Sequence, residues 1–301
     1  MISKNDLDER IEAIRECENC TDIQIKKFSP ITDYDDFDNL DDDFKRCSCG
    51  KRPIDVVMAH ILKIMIEEEI IPEKATLRRN SPVPLSNFYY SSLNPQFLAK
   101  KSLILLHPDF TDKVASRLFD EVSEVACVLK GSPQDTVGMF DKDSDIMHFE
   151  ILGGDDTQIN VMRTLLGDKV VLIKNQSKHH IEVAMTTEQK LVQLHNYLKN
   201  NSIETGIAVD AMCGLGAIGI YLLKYGFERV IFNDVNPEMT ESLKENLEIN
   251  GIDDGYEIHN GSFEDLEVGK VDLCVVDAFP GADISKIKEK AEKIADNVVI
   301  I

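Results

Sequence analysis

The sequence predicts an α/β protein: a parallel, doubly wound sheet in its last third, preceded by a small α+β domain and, at the N-terminus, a cysteine-rich helical module. Three observations carry that prediction. Residues 206–250 read as strand, glycine-rich turn, helix, strand, acidic strand end and helix in one unbroken piece. Strand-like runs separated by glycine-containing turns fill much of residues 97–185. Four cysteines, Cys17, Cys20, Cys47 and Cys49, set the N-terminal segment apart. The expected domains are 1–80, 81–185 and 186–301.

In the last of these, Ile207, Ala208 and Val209 form the short apolar run of a strand buried on both faces, with Asp210 at its carboxyl end. Gly214, Gly216 and Gly219 follow at the turn into a helix. Glycines there let the backbone turn tightly, admit a ligand to bare peptide groups and seat the helix on the strand. Their spacing is also the G-x-G-x-x-G of dinucleotide sites, but Asp210 argues otherwise. A carboxylate ahead of the turn repels a phosphate and suits an ammonium group. The second strand, Arg229 to Phe232, leads to Asp234, eighteen residues beyond Gly216, where an acid can take both hydroxyls of a ribose. Tyr256 to His259 and Val271 to Val276 supply a third and fourth strand, and the apolar Asn297 to Ile301 a fifth.

The stretches VDAMCGLGAIGI and NDVNPEMTESLKENLEIN resemble motif I and the acidic loop of class I S-adenosylmethionine-dependent methyltransferases. In character they are most similar to the archaeal and eukaryotic tRNA guanosine methyltransferases and the related wybutosine-pathway enzymes, whose strands end D-x-F-x-G-x-G and D-x-N-P. The resemblance implies a Rossmann-like domain, here five-stranded without the last edge strands. It implies S-adenosyl-L-methionine held by Asp210, Cys213, Gly214, Gly216, Asp234, Val235, Ser262, Phe263 and Asp277. Phe263 would cover a face of the adenine, and Ser262 or Asp265 would accept its exocyclic amine. The run DAFPG stands where amine methyltransferases carry N/D-P-P-Y/F and tRNA dimethylguanosine enzymes D-P-F-G. Asp277, Phe279 and Pro280 are accordingly the candidate catalytic set. Asp277 would accept a substrate N–H, Phe279 stack on a planar acceptor and Pro280 stiffen the turn. The bland account of Asp277 is a strand-end carboxylate capping the next helix.

A tRNA guanosine is the acceptor that the resemblance implies. A small metabolite or protein acceptor, and a non-catalytic cofactor-binding regulatory protein, are the alternatives. Wybutosine relatives transfer an aminocarboxypropyl group, so the group moved is open too. One departure stands out: where the tRNA enzymes carry a basic F-S-P-R stretch, this chain has Met185, Thr186, Thr187 and Glu188, and no catalytic arginine can be carried over.

Composition bounds the rest. No run of about 18 apolar residues occurs, so no membrane span is expected. The start, MISKNDLDERIEAIRE, is polar rather than a leader, and seven cysteines without one fit reduced thiols in a cytoplasmic protein. The net charge of −21 sits badly with a phosphate backbone, which lysine and arginine must hold. Residues 201–301 carry 8 Lys plus Arg against 20 Asp plus Glu, which weighs toward a small-molecule or protein acceptor.

At the N-terminus the cysteines are spaced C-x2-C-x26-C-x-C, and four thiolates can close a tetrahedral zinc site. An iron–sulfur cluster and four unpaired structural thiols are the alternatives. Ile54, Val57, Met58, Ile61, Leu62, Met65 and Ile66 repeat at three and four, the pattern of an amphipathic helix, with His60 off the stripe and expected at the surface. The proline- and serine-containing stretch 74–92 reads as a linker. Beyond it the order of pieces, with Leu129, Gly131 and Glu150, is similar to the middle domain of the tRNA guanosine enzymes. The last strand would leave an exposed edge, so the N-terminal part or a second chain, as in a homodimer, is expected to cover it.

Overall fold

The structure is a computed structural model and describes residues 4–13, 17–21, 23–86, 88–89, 97–136, 149–179, 185–278 and 283–301. It forms two compact units, Met1–Gln158 with Asn175–Glu182, and Ile159–Lys174 with Val183–Ile301.

The first unit contains α1 (Lys4–Ala13), β1 (Arg52–Pro53), α2 (Ile54–Glu67), β2 (Val83–Ser86), β3 (Phe88–Tyr89), β4 (Phe97–Leu98), β5 (Leu103–His107), α3 (Asp112–Glu121), β6 (Val125–Gly131), α4 (Pro133–Thr136) and β7 (Phe149–Gly154). Its main sheet runs β2-β5-β6-β7, with a parallel pair β5–β6 flanked by antiparallel edges. Thr111 caps α3 as expected, its Oγ1 accepting from the Val114 N–H at 3.3 Å. One apolar core joins Ile25, Ile31 and Leu40 to α2, α3 and the strands as far as Val128, so the boundary expected near residue 80 lies inside a shared core.

Two local expectations are corrected here. Val83–Ser86 belongs to the sheet and not to a linker, and Pro84 is tolerated because β2 is the edge strand of that sheet among the described residues. His60 is buried, not at the surface, because α2 is enclosed on nearly all sides. Burial and the nearby Arg52 charge push its pKa down to about 4, so the ring is neutral at ordinary pH.

The second unit begins with the hairpin of β8 (Thr157–Arg163) and β9 (Lys169–Asn175), whose residues 159–174 belong to it. It continues with α5 (Met185–Asn201), β10 (Ile207–Asp210), α6 (Ala217–Tyr225), β11 (Arg229–Asp234), α7 (Pro237–Ile249), β12 (Tyr256–Asn260), β13 (Val271–Val276), α8 (Ser285–Ile294) and β14 (Ala295–Ile300). The five strands from β10 onward form one parallel sheet in the order β12-β11-β10-β13-β14. This is the five-stranded Rossmann-like arrangement expected from the sequence. Chain order reverses between β10 and β13, and in an open α/β sheet that reversal leaves a crevice beyond the carboxyl ends of the strands. Among the described residues no strand pairs with the outer side of β14. No helix among them is long and apolar enough to cross a membrane.

The side chains of α7 make an unexpected contact with the hairpin. Asn250 accepts from the Val171 N–H at 3.0 Å and donates to the Val171 carbonyl at 2.6 Å. Asn246, one helical turn earlier, accepts from the Ile173 N–H at 2.8 Å. Alternate residues of a strand are about 6.7 Å apart and residues i and i+4 of a helix about 6 Å. Two asparagines at that helical spacing therefore match successive backbone positions on one edge of β9.

Candidate cofactor site and cysteine centre

Three carboxylates stand at the carboxyl ends that flank the sheet's reversal. Asp210 ends β10, Asp234 ends β11 and Asp277 follows β13. Two of them hold the glycine-rich turn from opposite sides. Asp210 Oδ2 accepts from the Gly219 N–H at 2.9 Å, and Asp234 Oδ2 accepts from the Gly214 N–H at 2.8 Å. The other oxygen of Asp234 accepts from the Asn236 N–H at 2.8 Å, fixing the start of α7. A loop of bare peptide is thus stretched between two acids.

The glycines divide their roles as the motif requires. Gly216 has φ +91° and Gly214 φ +50°, conformations that a side chain disfavours. A Cβ on Gly216 would lie 2.2 Å from Leu243, and one on Gly219 would lie 2.0 Å from the Phe232 ring, so α6 reaches β11 only without a side chain there. A Cβ built on Gly214 would meet nothing within 4 Å, so its positive φ and not crowding is what calls for glycine there, while its N–H is already given to Asp234. Cys213 turns its side chain into the core, 7% exposed, so it has only backbone to offer a ligand.

Asp210 is completely buried, and its Oδ1 has no hydrogen-bond partner among the described residues. Burial, with further contributions from the negative charges of Asp277 and Asp234, pushes its pKa up to about 8. The folded chain therefore keeps a proton that the unfolded chain loses above the ordinary value of 3.8. The resulting stabilisation is complete below that value and is lost as pH rises through about 8. Asp234 is also raised by burial, against the two backbone N–H groups that favour its charged form.

On the side where an adenine was expected, the arrangement differs from the sequence reading. Phe263 is packed with Val209, Ala211, Ile231 and Leu266 in the core and is 3% exposed, so it does not offer an open ring face. The single 3-10 turn Phe263–Asp265 tucks it under the sheet's end. Val235 is instead the apolar side chain left open there, 71% exposed beside Asp234. Ser262 donates its hydroxyl to Glu264, while Asp265 is exposed.

At the start of α8 it is Asp283 that accepts from the Ser285 N–H, and Asp277 is engaged with α5. Both of its oxygens accept from the Lys190 ammonium of α5, at 2.7 and 2.9 Å. Lys190 was not anticipated, because only the packing of α5 brings it to the end of β13, eighty-seven residues away in sequence. Phe279 and Pro280 lie outside the described residues.

The four N-terminal cysteines converge within the first unit. Their sulfurs all lie within 4.8 Å of one another, with Cys17–Cys20 and Cys17–Cys47 at 3.6 Å and Cys20–Cys49 at 3.5 Å. Sulfurs at the corners of a tetrahedron with bonds of about 2.3 Å are separated by about 3.8 Å, so the spacing fits a tetrahedral thiolate site. Backbone N–H bonding within the Cys47–Cys49 turn pulls Cys47 down to about 6, while burial raises Cys20 and Cys49. The turn is anchored from below. Arg46 donates to the Gly50 carbonyl at 2.7 Å and to Glu124 at 3.0 Å, and Glu124 is itself buried against Arg52. Desolvation offsets most of such a pair's attraction, so its main effect is to fix where the cysteine turn sits.

No family model matches the chain. Over 57 residues it is 42% identical to a tRNA (guanine(37)-N(1))-methyltransferase of Trichomonas vaginalis, covering 19% of this chain and 15% of that protein. Over 90 residues it is 32% identical to a ribosomal protein L11 methyltransferase of Clostridium botulinum, covering 30% of this chain and 27% of that one. The chain thus spans less than a third of the length of these curated relatives. Among solved structures, P. horikoshii TYW2 in complex with MeSAdo is similar with a TM-score of 0.49 and 20% identity, covering 78% of this chain and 76% of that one. The M. jannaschii tRNA m1G37 methyltransferase is similar with a TM-score of 0.44 and 14% identity, over 64% and 53% of the two chains. Segments of this chain are therefore similar to methyltransferases, of tRNA guanine in one relative and of a ribosomal protein in another.

Proposed function

We propose that this protein is an S-adenosylmethionine-dependent methyltransferase and that its acceptor is a tRNA guanosine. The observation that carries the proposal is the glycine-rich loop held between Asp210 and Asp234 at the sheet's reversal. The residues fit the cofactor's chemistry. Asp210 has a buried acceptor lacking a donor among the described residues, which an amino acid's ammonium supplies; Asp234 retains lone pairs for ribose hydroxyls; space on the Cα side of Gly214 is clear; Val235 offers apolar surface to a base. The cofactor when bound supplies a methyl group on a sulfonium with a good leaving group. The chain's remaining work is to align the acceptor and take up a proton. Asp277 is the group proposed to accept an acceptor N–H, and Lys190 fixes the direction of its carboxylate. The four cysteines are proposed to hold zinc as a structural ion.

A protein or small-molecule acceptor is the second reading, favoured by the net charge of −21. Incubation with cofactor labelled on its methyl group and extract separated into RNA, protein and metabolites distinguishes the two. Label in tRNA is the expected result, label in another fraction replaces the acceptor, and label in none contradicts the enzyme.

A pH effect accompanies the proposal. A cationic ligand meeting Asp210 drives its carboxyl to ionise, so binding of S-adenosylhomocysteine at pH 7 is expected to release close to one proton. Calorimetry in buffers of different ionisation enthalpy measures that release, and Asp210→Asn should abolish it.

A further inference from the structure

A buried polar side chain of α7 touches the cofactor loop. Asn246 is completely buried on α7, and its Nδ2 donates to the carbonyl of Leu215 at 3.1 Å. Leu215 stands between Gly214 and Gly216, at the centre of the loop. Asn246 Oδ1 meanwhile accepts from the Ile173 N–H of β9 at 2.8 Å. One amide therefore joins the loop to the hairpin. Leu243, one turn earlier on the same face of α7, lies directly beneath Gly216, so that face braces the loop with both a polar and an apolar contact.

We propose that Asn246 is a positioning residue for the cofactor loop, setting the Leu215 carbonyl, and with it the loop between Gly214 and Gly216, by reference to the edge of β9. A loop containing two glycines at positive φ does not hold one conformation by itself, because glycine loses the most backbone freedom on ordering. The aspartates fix its two ends, at Gly214 and Gly219. Asn246 fixes its middle. Asn250 supplies the internal control, since it binds the same strand edge at Val171 and makes none of the described contacts with the loop.

The inference rests on the loop being the cofactor site, and the test separates the two. Asn246→Ala, Asn246→Asp and Asn250→Ala are compared in the full chain. Asp keeps the shape and the acceptor for the Ile173 N–H while removing the donor to Leu215 and the longer one, at 3.5 Å, to the Ile173 carbonyl. Backbone amide exchange at residues 214–219 needs no ligand: it should accelerate in both Asn246 variants and stay at the native rate in Asn250→Ala. Affinity for S-adenosylhomocysteine should fall about tenfold with the Asn246 variants, the loss of one buried hydrogen bond, and stay within about twofold with Asn250→Ala. Equal exchange in the two sets of variants overturns the inference, as does failure of both Asn246 variants to fold while Asn250→Ala folds. Altered exchange in a native chain that binds no S-adenosylhomocysteine leaves the bracing intact and overturns the cofactor reading.

Discussion

Asp234→Ala is expected to weaken binding of S-adenosylhomocysteine by about a hundredfold to a thousandfold, measured by equilibrium dialysis. The side chain has two jobs that fail together. It accepts from the Gly214 and Asn236 N–H groups, which orders the loop and the start of α7, and in the proposed site it accepts from the ribose. Hydrogen bonds to a charged group are worth about 1.5–3 kcal/mol each, so losing two reaches about 3–4 kcal/mol once water fills part of the gap. Asp234→Asn keeps one acceptor and should fall between the two. An alanine variant that binds as well as the native chain would remove Asp234 from the site.

The second large effect concerns the cysteines. Metal analysis of the purified chain is expected to find one zinc per molecule, and Cys20→Ser or Cys47→Ser to lose it. Among the described residues 17–51 the regular elements are isolated 3-10 turns, and nearly all the backbone hydrogen bonds close single turns, so the cysteine loops lack a helix or ladder to hold them without the metal. Structural zinc contributes about 10–16 kcal/mol of apparent binding energy in small modules. Here Ile25, Ile31 and Leu40 already pack on the core of the first unit, so the expected loss is partial, read as proteolytic cutting near residues 17–21 and a lowered thermal midpoint. A chain that carries no metal and unfolds identically after Cys20→Ser would return the cysteines to ordinary thiols. A coloured protein carrying iron would point to a cluster instead.

Much of the second unit could be read from the sequence because its signals are local. Strand, glycine turn, helix and acidic strand end follow one another within forty-five residues, and each reports a backbone need that only a few residue types meet. The three glycine roles were legible for the same reason. Lys190 and Asn246 were not. Lysine on an amphipathic helix and asparagine in a helix of mixed polarity are ordinary surface residues until the fold places an acid or a strand edge beside them. Phe263 was misplaced because an aromatic residue in a loop is equally suited to cover a ligand or close a core. His60 and Val83–Ser86 failed on a related count: periodicity marks the most apolar face of a helix but does not say how many faces are enclosed, and a proline marks a linker or an edge strand alike.

Titration calorimetry of S-adenosylhomocysteine against the native chain addresses the central claim most directly. One molecule bound per chain, with heat that vanishes in Asp234→Ala, is the result expected from a peptide loop drawn between two acids. Absence of heat at millimolar ligand, in a chain shown by its amide exchange to be folded, would contradict it.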